Sequence, residues 1–298
     1  MKFTFNWLLE HLDTNKSLNE ITEKLSMLGL EVEEVTDKSQ KLKDFVIAKV
    51  VDEKPHPNAD RLKILSVDDN SGDIHQVICG APNAKKNLIG VFAKPGVYIP
   101  GIDLKLAVGE IRGEKSYGMM CSERELEISD EHDGIIEIDE NVKVGSSFLE
   151  WSGLGDPVIT IGITPNRADC LGVRGIARDL AASGFGKLKP LKIKEIKGTF
   201  ESPKQFSISK ELNTRKLVPS LTSRYFRGLN NNQSPKWMQQ RLIAIGQRPI
   251  SALVDITNYV MFDLNRPLHA YDADKINKEI IVRNAKEGEM FEALDNKK

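Results

Sequence analysis

The periodicity of the sequence changes twice, and this constrains the fold more than any single motif. Up to about residue 38, and again from Thr164, apolar residues recur at helical spacing. Between residue 45 and about 140 they come instead in short β-branched runs: Phe45–Val51, Leu62–Val67, Ile74–Ile78, Ile89–Phe92 and Ile102–Val108. Pro55-His56-Pro57-Asn58, Asn70-Ser71-Gly72, Pro95-Gly96, Pro100-Gly101 and Arg112-Gly113 separate these runs with turn chemistry. Five short strands so punctuated predict a small closed β-barrel. The helical pieces on either side would pack together, making the barrel an insertion.

The first flank carries a capping-box pattern, Ser17-Leu18-Asn19-Glu20, followed by Ile21, Leu25 and Leu28 on one helix face. Gly29 is the expected helix stop, and Leu30–Val35 alternates like a strand. This piece is too small to hold a core alone and needs the second flank. That flank opens with Thr164-Pro165-Asn166-Arg167-Ala168-Asp169, where Asp169 is the expected N-cap of a helix bearing Val173, Ile176, Ala177 and Leu180. Gly184 is its expected stop, and Lys187, Lys189, Lys192, Lys194 and Lys197 form a basic connector. Further on, Ser234-Pro235 predicts an N-cap and an N1 proline for a helix running to Gly246. A second helix is expected near Ser251, then extended chain over Leu268–Ile276 and Glu279–Arg283. The sequence stops at Lys298 after Phe291-Glu292-Ala293-Leu294-Asp295 with no closing element, which reads as a cut end. The expected fold class is α+β and multidomain. Residues 1–38 plus 151–190 form a small discontinuous helix-and-strand domain, interrupted by a barrel at 39–150. The first part of a mixed α/β domain follows at 199–298.

Charge is unevenly placed. The net charge is −1, yet residues 1–38 carry −4, 39–150 carry −6, 151–198 carry +4 and 199–298 carry +5. The second half suits a polyanion, and the barrel segment is poorly equipped to bind phosphates unaided. Three widely spaced cysteines, Cys79, Cys121 and Cys170, exclude a disulfide framework and any Cys-x-x-Cys site, as expected of a reducing cytoplasm. No apolar run approaches the ~20 residues of a membrane span, and the N-terminus does not read as a signal peptide. Gly-rich phosphate loops, His-Glu-x-x-His and nucleophile elbows are missing, so neither a cofactor nor a metal site is expected within this chain.

The barrel segment contains three notable strings. They are His56-Pro57-Asn58-Ala59-Asp60-Arg61-Leu62, Ile78-Cys79-Gly80-Ala81-Pro82-Asn83-Ala84, and Gly113–Ser122 leading into Glu125-Leu126. On spacing alone these are turn residues, in a segment that is acidic and poor in aromatics. They are nevertheless similar to the tRNA-binding oligonucleotide-barrel (OB-fold) module of several tRNA synthetases. The resemblance narrows with Phe5-Asn6-Trp7-Leu8, Leu28-Gly29-Leu30-Glu31-Val32-Glu33, Thr164–Leu171 and Gly175–Leu180. Arg248-Pro249-Ile250, Val254–Met261 and Pro267–Asp272 complete it. In that order the whole chain resembles the N-terminal part of the β-subunit family of bacterial phenylalanyl-tRNA synthetases.

The resemblance implies an (αβ)₂ ligase in which the α subunit holds the activating site, with ATP and Mg²⁺ used by the holoenzyme. The β subunit would contribute contacts to tRNA(Phe), architecture, and an editing site that hydrolyses mischarged tyrosyl-tRNA. A pocket built for phenylalanine rejects an isostere with one added hydroxyl by only ~10²-fold, so a second hydrolytic sieve is useful. His269, Asn258 and Thr257 match family positions lining that sieve, with Arg248 a further candidate, and the family's acidic partner is expected beyond Lys298. Arg61, Lys63, Asn83, Ser116, Met119 and Ser122 are the candidate RNA contacts. Asn166, Arg167 and Asp169 read as helix capping and an Arg–Asp pair. Two other readings stay open at this point, a stand-alone tRNA-binding module and a free-standing hydrolase of mischarged tRNA.

Overall fold

The structure, a computed structural model, describes residues 1–138 and 141–291. The segment after Phe291, read above as lacking a closing element, lies outside the described residues. The chain opens with β1 (Lys2–Thr4), α1 (Phe5–His11), β2 (Leu12–Asp13), α2 (Leu18–Met27), β3 (Val32–Thr36) and α3 (Ser39–Leu42). It continues through β4 (Val46–His56), β5 (Ala59–Asp68), β6 (Ile74–Cys79), β7 (Ile89–Ala93), β8 (Tyr98–Ile99) and β9 (Leu104–Lys105). Then come β10 (Gly109–Ile111), β11 (Glu114–Ser116), β12 (Met119–Met120), α4 (Phe148–Ser152), β13 (Val158–Ile161) and α5 (Val173–Ala182). The last elements are β14 (Lys187–Leu188), β15 (Gln205–Ile208), α6 (Lys210–Thr214), α7 (Lys236–Ala244), α8 (Ala252–Leu264) and β16 (Glu279–Val282).

The two flanks share one sheet, of order β1-β13-β3, in which Val158 lies opposite Thr36 and Lys2 opposite Thr160. Helix α2 begins with the full capping box, Ser17 accepting from the Glu20 N–H and Glu20 accepting from the Ser17 N–H. Such a cap stabilises a helix start by about 1 kcal/mol. Gly29, at φ +80°, ends it in the left-handed region that favours glycine. Phe3, Trp7, Leu8, Ile21, Leu25 and Leu30 bury against Ile159, Val173, Ile176 and Leu180 in one core. Helix α5 differs from expectation at its start. Its N-cap is Gly172, and Asp169 belongs to a 3-10 turn over Pro165–Cys170, where arginines engage its carboxylate. A Cβ at Gly172 would strike the backbone of Asn265, so a side-chain cap does not fit there.

The inserted segment corrects the barrel expectation. Its main sheet has the order β12-β7-β4-β5-β6 and stays open, since no ladder joins β12 to β6. Single hydrogen bonds bridge the gap, Tyr117 N–H to Gln76 O (2.8 Å) and Ile78 N–H to the Ser116 hydroxyl (3.0 Å). The run Ile102–Val108, expected as the fifth strand, forms instead a 3-10 turn at Pro100–Ile102 and the short β8–β9 hairpin. The fifth position falls to the two-residue β12. Burial also differs from that of a barrel wall. All five residues of β7 are buried, with Ile89, Val91 and Ala93 in one cluster and Phe92 in another. Strand β7 is thus covered on both faces, and the open strand order makes the arrangement a mixed α+β one without a closed barrel.

Toward the C-terminus, β15 and β16 pair in parallel and α7 packs with α8. Pro235, not Ser234, is the N-cap of α7, because the Ser234 hydroxyl donates to buried Asp255 (2.5 Å). Leu268–Ile276, expected as extended, is loop with a 3-10 turn at Ala273–Lys275. Among the described residues no helix is long and apolar enough to cross a membrane.

Candidate functional site

Helix α8 has two working faces. At 3.6 residues per turn, Tyr259 and Asp263 share one side and Thr257 falls nearly opposite. The Tyr259 ring stacks on Trp7 of α1 at 5.2 Å and 4° between planes, while Trp237 of α7 meets it edge-on at 5.2 Å. Buried Asp263 accepts from Trp7 Nε1 (2.7 Å) and pairs with His11 Nε2 (2.5 Å). Arg241 of α7 bridges the Tyr259 hydroxyl (3.0 Å) and the Glu10 carboxylate. Burial pushes the Tyr259 phenol up to about 12, assisted by the Asp263 carboxylate and opposed by Arg241. The N-terminal helix therefore fixes α8 in place.

The other side carries the candidates. Thr257 donates its hydroxyl to Val254 O (2.7 Å), leaving its lone pairs as acceptors. Asn258 is half-buried, and Arg248 is exposed in the turn between α7 and α8. His269, exposed just after the helix, stacks on Tyr271 at 5.9 Å and 25°. Among the described residues no hydrogen bond links His269 to Thr257 or Asn258.

The candidate RNA contacts are scattered over the inserted sheet. Arg61 projects from β5 into solvent. Lys63 pairs with Glu53 (2.9 Å) and also donates to Ala84 O. The Asn83 amide clamps Ile135, donating to its carbonyl (2.8 Å) and accepting from its N–H (3.0 Å). Ser116 is buried, accepting from Ile78 N–H and donating to Gly118 O (both 3.0 Å). Ser122 is also buried, its N–H donating to the Glu125 carboxylate, and Met119 lies in the edge strand β12.

Sequence reasoning missed the Trp7–His11–Asp263 junction, and a second cluster was only partly visible. Arg167 pairs with Asp169 (3.1 Å) and Asp179, while Arg178 engages the same two carboxylates. Donor atoms of Asp169, Cys170 and Asp179 lie within 4.8 Å of one another, a metal-like spacing. Two guanidinium groups already occupy the carboxylate oxygens. Burial and Asp179 push the Cys170 thiol up to about 12, the reverse of the thiolate a metal needs. The cluster is an ion-pair network that closes the start of α5.

Two family models match the chain: "Putative tRNA binding domain" over residues 45–147 and "B3/4 domain" over residues 217–298. The phenylalanine–tRNA ligase β subunit of Bartonella henselae is 56% identical over 297 residues, covering all of this chain and 37% of that protein. Along its whole length the chain is similar to phenylalanine–tRNA ligase β subunits. The β subunit of Mesorhizobium japonicum is likewise 56% identical over 298 residues, covering all of this chain and 36% of that protein. The chain thus spans just over a third of the length of these relatives. Among solved structures, the C-terminal domain of Plasmodium vivax p43 aligns with 35% of this chain and 58% of its own, at 18% identity and a TM-score of 0.26. Within this chain, the tRNA-binding match coincides with the open sheet and its hairpins. The B3/4 match contains α7 and α8, so the Trp7–Asp263 junction ties it to a segment outside both matched regions.

Proposed function

We propose that this chain forms the tRNA-contacting and editing-side part of the β subunit of a phenylalanine–tRNA ligase. The observation that carries this reading is the 56% identity to such β subunits along the whole chain. In this reading residues 1–38 with 151–190 are a discontinuous frame, 39–150 the inserted tRNA-binding module, and 199–298 the first part of the editing domain. The holoenzyme is a cytoplasmic (αβ)₂ assembly that charges tRNA(Phe) using ATP and Mg²⁺, with activation carried out by the α subunit.

The editing chemistry is assigned to the outer side of α8 and the loop after it. His269 would hydrogen-bond the hydroxyl of a misplaced tyrosine or order the attacking water. Asn258 would hold the ester or the terminal ribose, Thr257 would offer its acceptor lone pairs, and Arg248 is the more peripheral member. Such a site demands the hydroxyl, because its polar groups are left unpaired when phenylalanine enters.

The test is His269→Ala in the complete αβ enzyme. Phenylalanine charging should stay nearly intact while deacylation of tyrosyl-tRNA falls ~10–100-fold, the loss of one hydrogen bond worth ~1.5–3 kcal/mol. Parallel loss of both activities with a lowered melting temperature would make His269 a structural residue and defeat the assignment.

A further inference from the structure

The tRNA-binding match falls on the part of the chain least able to bind phosphate. Residues 39–150 carry a net charge of −6, and Lys63, Lys85, Lys86 and Lys94 in it already pair with carboxylates. Arg61 stays exposed, yet with a net charge of −6 around it the greater part of the cations that neutralise an RNA backbone is to be sought elsewhere.

The connector after α5 is built differently. It holds Lys187, Lys189, Lys192, Lys194 and Lys197 against a single acid, Glu195, and all five lysines are exposed. Among the described residues no carboxylate pairs with Lys187, Lys192, Lys194 or Lys197. Two arginines extend the strip by bonding to its carbonyls: Arg174 donates to Lys189 O (3.1 Å), and Arg224 donates to Ile196 O. The N-terminal end is anchored, since β14 pairs with β2 and the Lys189 ammonium donates to Leu9 O (2.8 Å). From Pro190 to the end of the connector the chain has no ladder of its own. Extended, the eleven residues reach up to ~35 Å, enough to follow several consecutive phosphates.

We infer that the 187–197 connector, flanked by Arg174 and Arg224, is a surface that meets the phosphodiester backbone of tRNA. The contact is one of charge and carries no sequence selectivity. It rests on the tRNA-contacting role proposed above and assigns that role's phosphate-binding component to a segment outside both matched regions.

The experiment uses the full β chain assembled with its partner subunit, carrying Lys192→Gln, Lys194→Gln and Lys197→Gln together, with the three Lys→Arg changes as a control. Binding to tRNA(Phe) is titrated between about 50 and 200 mM salt. The slope of log K against log[salt] should shrink by ~2–3 in the glutamine variant and be retained in the arginine variant. An unchanged slope in the glutamine variant would overturn the inference while leaving the wider reading intact. So would a variant that loses subunit assembly at unchanged slope, because the strip would then face an acidic protein surface. If the unaltered enzyme fails to bind tRNA at all, both readings fall.

Discussion

Asp263 accepts a hydrogen bond from Trp7, although 256 residues separate them in the chain. The same carboxylate oxygen lies 2.5 Å from His11 Nε2, so two rings of α1 converge on one buried group of α8. Helix α8 carries Thr257 and Asn258 on another side. The geometry of the proposed editing side is therefore held from the first helix of the chain.

Asp263→Ala should leave the Trp7 and His11 donors buried without an acceptor. Each such loss costs ~1–3 kcal/mol, so the variant should unfold at clearly lower denaturant, about 3 kcal/mol less stable. Asp263→Asn, which keeps one acceptor oxygen, should lose less. Urea titrations of the two variants beside the parent check this ordering.

Gly118→Ala should be costly for a different reason. The backbone there sits at φ +146°, and a Cβ would run into the Phe92 ring and the Ala93 carbonyl. Strain and overpacking together should remove about 2 kcal/mol or more, read as a lowered urea midpoint at unchanged m.

Asp69 gives the inserted segment an acid sensitivity. Its burial favours the neutral acid, but Lys94 and the Ser71 hydroxyl and N–H outweigh this and hold the carboxyl at about 2. A depressed folded-state value means the stabilisation is complete above the ordinary carboxylate range near ~3.9 and disappears as pH falls toward about 2. The stability difference between the parent and Asp69→Asn should shrink by about 2 kcal/mol across that window. Denaturant titrations at several acidic pH values measure it.

Cys170 should resist alkylation. It is fully buried, and its thiol is pushed up to about 12, so almost no thiolate exists at neutral pH. Iodoacetamide at pH 7.5 should label it only after denaturation, as followed by mass spectrometry of the native and unfolded protein.

Local features were the legible part of the sequence. The capping box of Ser17 and Glu20, the stop at Gly29 and the apolar stripe of α5 each depend on residues within a turn or two of one another. The resemblance also stood on contiguous strings. What failed was long-range or competitive. Asp169 has the chemistry of an N-cap, but Arg167 and Arg178 bind its carboxylate more strongly than a backbone N–H would. Ser234 lost the α7 cap to Asp255 in the same way. The open sheet was misread because Ile102–Val108 has strand-like residues, while Pro100-Gly101 turns the chain and β12 is only two residues long. The α8 residues Thr257 and Asn258 were visible as a string. The reason their helix stays put was not, since neither His11 nor Asp263 signals a partner at that distance.

Thr36 and Val158 face each other across one ladder, which gives the inserted segment an unexpected topological status. To the sheet of β1, β13 and β3, everything between those two residues is a hairpin loop. Closing a loop costs only ~0.6 kcal/mol more for each doubling of its length, so the frame tolerates an insertion of any such size. The end of the loop does belong to the frame, since Asp156 accepts from the Asn6 N–H and Pro157 O from the Phe5 N–H. A short turn that replaced residues 39–150 and kept Trp151–Pro157 would close the same ladder, which makes the inserted sheet cargo carried by the frame.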